Sequence, residues 1–572
     1  MGIIRKIAVI GGGPAGIIAA NDLARQKDQD WQIVGFEARQ NLGGVWSDTP
    51  GSKMESPDVF QQLRLSTADN PLTPESIFNY DSPVVENGRV VSLRSLSATS
   101  VSKPLKLVRK PLLRDGLIMS EKTGIYEELM TNVPGKLMKL SATEPDSSEK
   151  VSSQRNNPDI APLIKLNDVK AGIDAIIEQT RSAQVFRLHT CVEYLDKLSP
   201  EKWIIIARKS EPGNDYDEWY METFDAVIIA NGHFMCPYVP YYMTPPQSDH
   251  SNIHEFNMRF PSALMHVKDL DLWYRKHLPK LQKESLNSKQ KIVIVGKSFS
   301  AMDVLKRLVP LQDSGHNLEI IISTKTPPLP ENKANPFCWF DQWLTETKKV
   351  EVKGPISHFL TERSTPALQF EDGTIAEQVS AVIFATGYLY TFPFISSKLL
   401  ESYRVLITPD PRNNDSNPSN MSRVTGLYLH TFSIADPTMG FVGISSNATF
   451  QSFSISSRAI AGAWSKLNRL YDKEKPQDGP IYDSIWSQVL PSVQEQLKWS
   501  QERLVKTGNS AFYHFYYPLD TLFNDWLQYC KPLFSQEDQQ EQLFPANSAE
   551  LSKNGLKKLE ELFFDKMGPE RH

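Results

Sequence analysis

The 572-residue chain allows three or four domains of about 150 residues, or two large ones with insertions. Lys plus Arg (62) against Asp plus Glu (67) leaves a formal charge of −5, which argues against a broad phosphate-neutralising surface and so against a nucleic-acid partner. A hydrophobic share of 40% with 10% aromatics excludes a wholly disordered chain. The four cysteines, Cys191, Cys236, Cys338 and Cys530, are too scattered for a zinc motif and too few for a disulfide framework. No metal site is expected, and a reduced, cytoplasmic setting fits best.

The first 37 residues read as strand, tight turn, helix, strand. Ile7-Ala8-Val9-Ile10 is an apolar run suited to a strand buried on both faces. Gly11-Gly12-Gly13-Pro14-Ala15-Gly16 is the turn, residues 17–25 the helix, and 32–36 a second strand ending at Glu37. A glycine turn this early leaves no room for a cleavable leader. Residues 49–123 lose the pattern and read as an insertion, with a basic run at 103–114 broken by Pro104 and Pro111. Residues 141–159 read as a polar loop. Further buried strands follow at 224–230, 291–295, 318–323 and 379–385, the second of them leading into Gly296 and a helix at 301–308. The uncharged stretch 379–397 approaches membrane-spanning length, but Thr386-Gly387 and Pro393 make it a strand and a turn, so a soluble protein without an integral membrane segment is expected. Beyond about 472 the chain turns helical and charged, ending in an amphipathic stretch at 556–564 whose role stays open.

Gly11, Gly13 and Gly16 have the spacing a pyrophosphate needs. The first permits the tight turn, the second lets backbone approach phosphate, and the third lets helix pack close to strand. The helix N-terminus, with Pro14 and Ala15 at its start, offers unpaired N–H groups and partial positive charge. Glu37 stands where a carboxylate can accept from ribose hydroxyls. A second strand–turn–helix begins at Gly296, with Ser298 and Ser300 at positions where glycine is usual and Ala301, Met302 and Asp303 opening the helix. No acid ends the following strand; Lys325 stands there instead. It is either a partner for a 2′-phosphate or a solvated surface lysine. Two sites, one with an acid and one without, suggest FAD at the first and NADPH at the second.

Several segments resemble the flavin-containing monooxygenase family. These are Phe36-Glu37 with Gly43-Gly44-Val45-Trp46, the run Ile125 to Met138 around Asn132, Ala230-Asn231-Gly232-His233, the Gly-x-Ser-x-Ser-x-x-Asp turn at 296–303, and Phe384-Ala385-Thr386-Gly387-Tyr388. Ala435 to Gly443 most resembles fungal members. The resemblance implies an α/β fold with two Rossmann-like dinucleotide-binding domains. A discontinuous flavin domain (1–245 with the insertion, and 371–470) would surround an NADP domain (246–370), before a helical C-terminal extension (471–572). It implies that NADPH reduces FAD, that O2 forms a C4a-hydroperoxyflavin, and that one oxygen passes to a small-molecule sulfur or nitrogen nucleophile. Asn132 would be the catalytic amide. Gly12, Gly44, Val45, Trp46, Thr131, Val133, Thr386 and Gly387 would join the flavin contacts, although Trp46 also reads as core packing, Asn132 as a cap before Pro134, and Thr386-Gly387 as a strand-end turn. The family's Phe-x-Gly-x-x-x-His hallmark occurs as Phe260 to His266 with Ser262 for glycine, which weakens a functional reading of His266. Cys236 and Cys338 read as inert thiols. Baeyer–Villiger or N-hydroxylating chemistry on the same scaffold, or a non-oxygenating regulatory relative, are the alternatives; oligomeric state is left open.

Overall fold

Ile7 to Ile10 are 0–4% exposed, as a strand with both faces covered requires. In the computed structural model, Lys6–Ile10 is flanked in parallel by Ala226–Ile229 and Gln32–Phe36, with Ile7 opposite both Ala226 and Ile33. Phe186–Arg187 extends one edge. Met439–Phe441, Phe432–Ser433 and Leu427–Tyr428 extend the other, making seven strands. Alternation along the central strand decides what each face meets. Ile7 and Val9 pack under the helices Pro14–Ala24 and Gln451–Glu474. Ala8 and Ile10 face an antiparallel sheet of Leu105–Val108, Tyr216–Phe224, Lys202–Lys209 and Thr190–Ser199. That sheet was not anticipated, although Trp203, Ile205 and Ala207 recur at its period of two and are fully buried.

The second sheet is wholly parallel, in the order Leu264–His266, Val379–Phe384, Gln290–Val295, Leu318–Ser323, Val350–Lys353. Ile292 and Ile294 pack against Val304, Leu305 and Leu308 of the helix Phe299–Asp313, which is longer than the 301–308 expected. Val379–Phe384 belongs to this sheet, so the sheet continues past residue 370, where the sequence suggested a boundary.

The structure describes residues 3–47, 58–61, 85–86, 89–90, 96–109, 123–138, 163–242, 252–332, 335–403, 407–409, 421–445, 450–474, 485–508, 511–516, 521–543 and 547–567. The polar loop at 141–159 and most of the insertion lie outside these. The insertion's described pieces are built into the fold: Val59 and Phe60 are buried beside the second sheet, and Leu105–Val108 is an edge strand.

C-terminal helices wrap the first sheet. The helix Gln451–Glu474 starts well before 471, and its Arg458, fully buried, lies 3.9 Å from Asp22 and 2.9 Å from Glu541. The helix Ser548–Met567 buries Leu551, Gly555, Leu559, Phe563 and Met567, a stripe at intervals of four. Phe563 inserts among Trp339, Phe340 and Trp343 with ring centroids 5.0–5.4 Å away, a burial worth about 1.5–3 kcal/mol. The amphipathic tail therefore covers the protein's own core. Among the described residues no helix is long and apolar enough to cross a membrane.

Candidate active site

The two glycine turns are built alike. Gly11 and Gly296 have φ of +107° and +105°, a region open to glycine. A Cβ on either would meet a backbone carbonyl, that of Ala230 at 2.4 Å or of Ala385 at 2.6 Å. Each turn thus abuts the end of a neighbouring strand, Ala230-Asn231-Gly232-His233 in one sheet and Ala385-Thr386-Gly387-Tyr388 in the other. At the third position of the first turn, a Cβ on Gly16 would lie 1.8 Å from the Gly11 carbonyl.

Glu37 is buried at the end of its strand. One carboxylate oxygen accepts from the Gly12 N–H at 2.7 Å, the other from the Arg39 N–H at 2.8 Å. Arg39 donates to the Gly44 carbonyl at 3.0 Å, holding the short turn Gly44–Trp46 against the glycine loop. Trp46 meets Phe450 edge-on at 6.0 Å, and both rings line the cavity below.

Asn132 lies on the strand Met130–Pro134, paired with Leu163–Lys165 through a register shift. Thr131 holds that irregularity: its hydroxyl donates to the Val133 carbonyl at 2.7 Å and accepts from the Ile164 N–H at 3.0 Å. Such bulges re-aim side chains. Asn132 is exposed to the cavity and caps no helix.

In the second turn, the Asp303 carboxylate accepts from the Tyr126 hydroxyl and pairs with Lys306 at 2.8 Å. Burial foremost, then Asp303, pushes the Tyr126 hydroxyl well above its usual range, so it stays a proton donor. Lys306 and Arg307 share this wall, whereas Lys297 is committed to Asp341 at 2.5 Å. Lys325 is exposed, beyond the end of Leu318–Ser323.

These pieces surround one cavity of about 1110 Å³. Its wall includes Gly11, Gly13, Pro14, Ala15, Glu37, Gly44, Val45, Trp46, Thr131, Asn132, Val133, Ser298, Ser300, Met302, Asp303, Thr386 and Gly387. Gly12, Gly16, Gly296, Ala301 and Lys325 are not in it; the first four shape the turns from behind. Wall residues that the sequence did not single out include Arg39, Tyr126, Lys306 and Phe450, as well as Leu559 and Leu562 of the tail helix. Tyr126 lies inside the Ile125-to-Met138 run, and Leu559 and Leu562 inside the amphipathic stretch 556–564; nothing local marked Arg39, Lys306 or Phe450.

His233 also lines the cavity, its ring 4.7 Å from that of Tyr390, and burial lowers its pKa to about 4, so it is neutral at pH 7. His266 is fully buried outside the wall. Its Nδ1 accepts from the Lys268 N–H at 3.0 Å, so Nε2 carries the proton and donates to the Gly387 carbonyl at 3.1 Å. It braces the Thr386-Gly387 turn. Burial pushes the Cys236 thiol up to about 12. Among the described residues no His, Cys, Asp or Glu group is placed to hold a metal.

The "Flavin-binding monooxygenase-like" family profile matches residues 344–408, the segment containing Phe384 to Tyr388. A flavin-containing monooxygenase of Amanita muscaria is 24% identical over 482 residues, 81% of this chain and 78% of that one. A trimethylamine monooxygenase of a Roseovarius species is 23% identical, covering 71% and 66%. The chain is similar in sequence to flavin-containing monooxygenases. In fold it is similar to the S-allyl-L-cysteine S-oxygenase of Allium sativum, with a TM-score of 0.56 and 17% identity over 99% of this chain and 95% of that one. The family is one of oxidoreductases that depend on FAD and NADPH. The residues present fit both groups: a buried carboxylate beside a side-chain-free turn suits a ribose and pyrophosphate, and the volume exceeds the about 300–1,000 Å³ of a one-ligand pocket.

Proposed function

We propose that this protein is an NADPH-dependent flavoprotein monooxygenase that transfers one oxygen atom from O2 to a sulfur or nitrogen nucleophile of a small molecule. One observation carries the reading: both glycine turns and Asn132 open into the same cavity. FAD, reduced by NADPH and meeting O2, would supply the electrophilic oxygen.

The chain's residues have separable tasks. The N-terminus of Pro14–Ala24, with Gly11 and Gly13, receives a pyrophosphate, and Glu37 accepts from a ribose. Gly44, Val45 and Trp46 with Thr386 and Gly387 line the cavity where they would hold the ring system. Ser298 and Ser300 donate to the second dinucleotide's phosphates, and Lys306 offsets the repulsion that Asp303 would otherwise impose. The exposed Lys325 meets a 2′-phosphate from the solvent side. The amide of Asn132 both donates and accepts where oxygen is handled, as a neutral group can without supplying a proton. Met130, Val133 and Phe450 keep that end of the cavity apolar and so poor in water. His233, held neutral, adds no charge there.

Asn132→Ala tests the reading. The variant keeps its flavin absorbance and its NADPH reduction but releases hydrogen peroxide instead of oxygenated product, with coupling falling about 10- to 1,000-fold. Intact coupling removes Asn132 from the role, and a wild-type protein that binds no flavin ends the proposal.

A further inference from the structure

We propose that the C-terminal helix Ser548–Met567 is a wall of the acceptor site, and that Leu562, backed by Leu559, sets which nucleophiles enter: those whose sulfur or nitrogen carries an uncharged, apolar substituent of limited bulk. This rests on the monooxygenase reading and adds the residues that choose its substrate.

Placement is the first argument. The helix packs on the strand Met130–Pro134, which carries Asn132, and on Phe299–Asp313, which opens at the second turn. It is pinned at both ends. Leu551 joins the core of the first sheet and Phe563 that of the second, while Lys349 Nζ donates to the Met567 carbonyl at 2.9 Å. The helix therefore spans the two halves across the cavity between them.

Close approach is the second. Gly555 sits mid-helix, where glycine is disfavoured relative to alanine. A Cβ there would lie 2.6 Å from the Pro134 ring, so the glycine admits contact with the residue two positions past Asn132. The register this sets turns Leu559, Leu562, Asp565 and Lys566 toward the cavity at helical intervals of three and four.

Chemistry is the third. Leu559 is buried and Leu562 half-buried, facing a wall that also holds Leu129, Met130 and Val133. The charges in the wall balance, Asp565 against Lys566, Glu128 against Arg307 and Asp303 against Lys306, and favour neither an anion nor a cation. An apolar thioether or amine substituent is what such a surface desolvates without loss.

The test uses the full chain with FAD, NADPH and O2 and two probes, methyl propyl sulfide and methyl 2-naphthyl sulfide. Leu562→Trp is expected to lower the naphthyl-to-propyl ratio of kcat/KM about tenfold, Leu562→Ala to raise it, and Lys557→Ala, on the exposed face, to leave it unchanged. Equilibrium dialysis of the naphthyl sulfide is expected to show the same order in Kd without turnover. Unchanged ratios and Kd values in both Leu562 variants overturn the proposal, as does wild-type protein that binds neither probe. Altered Kd with no sulfoxide from any protein, wild type included, keeps the wall and overturns the monooxygenase reading instead.

Discussion

The two glycine turns share a backbone and differ in what surrounds it. Both place a glycine near φ +105°, and both lean on a strand ending Ala-x-Gly-aromatic. The first ends its second strand in a buried acid bonded to the turn's own N–H, whereas the second ends in Ser323 and then an exposed Lys325. By spacing, the place of Gly16 falls on Ala301, fully buried, so of the two serines expected at glycine positions only Ser298 stands at one. A buried acid recognises hydroxyls, and an exposed cation meets a phosphate arriving from solvent. On the monooxygenase reading, one fold would thus serve a resident nucleotide and an exchanging one.

The glycines give the sharpest way to break this comparison. Gly11→Ala forces a left-handed φ and a 2.4 Å clash, and should yield protein without flavin absorbance. Gly296→Ala meets the same obstacle in the other half and should stay yellow while its anaerobic reduction by NADPH slows about 10- to 100-fold, the effect of 1–3 kcal/mol of strain. Equal flavin loss in both variants would show that the halves do not divide the work. Acid sharpens it differently. Burial foremost, with Lys268 adding, lowers the pKa of His266 to about 3, so the unfolded chain binds the extra proton and this stability, present above pH 6.5, is lost as pH falls. Urea denaturation at pH 5 against pH 7 should show about 2 kcal/mol lost through His266 alone. His430 and His514, a buried pair in contact beside the first sheet, act in the same direction. Lys325→Ala should have the smallest effect. An exposed ion contact is worth about 0.2–1 kcal/mol, so KM for NADPH rises about two- to fivefold while KM for NADH stays put.

Legibility followed locality. Strand, turn and helix at 7–25 and 291–308 could be read because buried parallel strands are continuous apolar runs and each glycine turn lies within a few residues of them. Val379–Phe384 was legible as a strand but not as a member of the second sheet, since pairing with Gln290–Val295 joins residues far apart in sequence. The antiparallel sheet from 190 to 224 carried a period-two signal that went unread beside the stronger motifs. His266 was hard to weigh from a degraded hallmark; its two hydrogen bonds show a brace.

The sequence alone determined the two glycine turns and the acid at Glu37, because each depends on neighbours within one strand–turn–helix unit, and it marked Asn132 through the resemblance alone. Only the tertiary structure decided that these units face a common cavity, that Tyr126 reaches Asp303, and that a helix near the C-terminus packs on the strand carrying Asn132. Those contacts join segments hundreds of residues apart, such as Gly555 on Pro134. Amphipathicity fixes that a face must be buried but not against what.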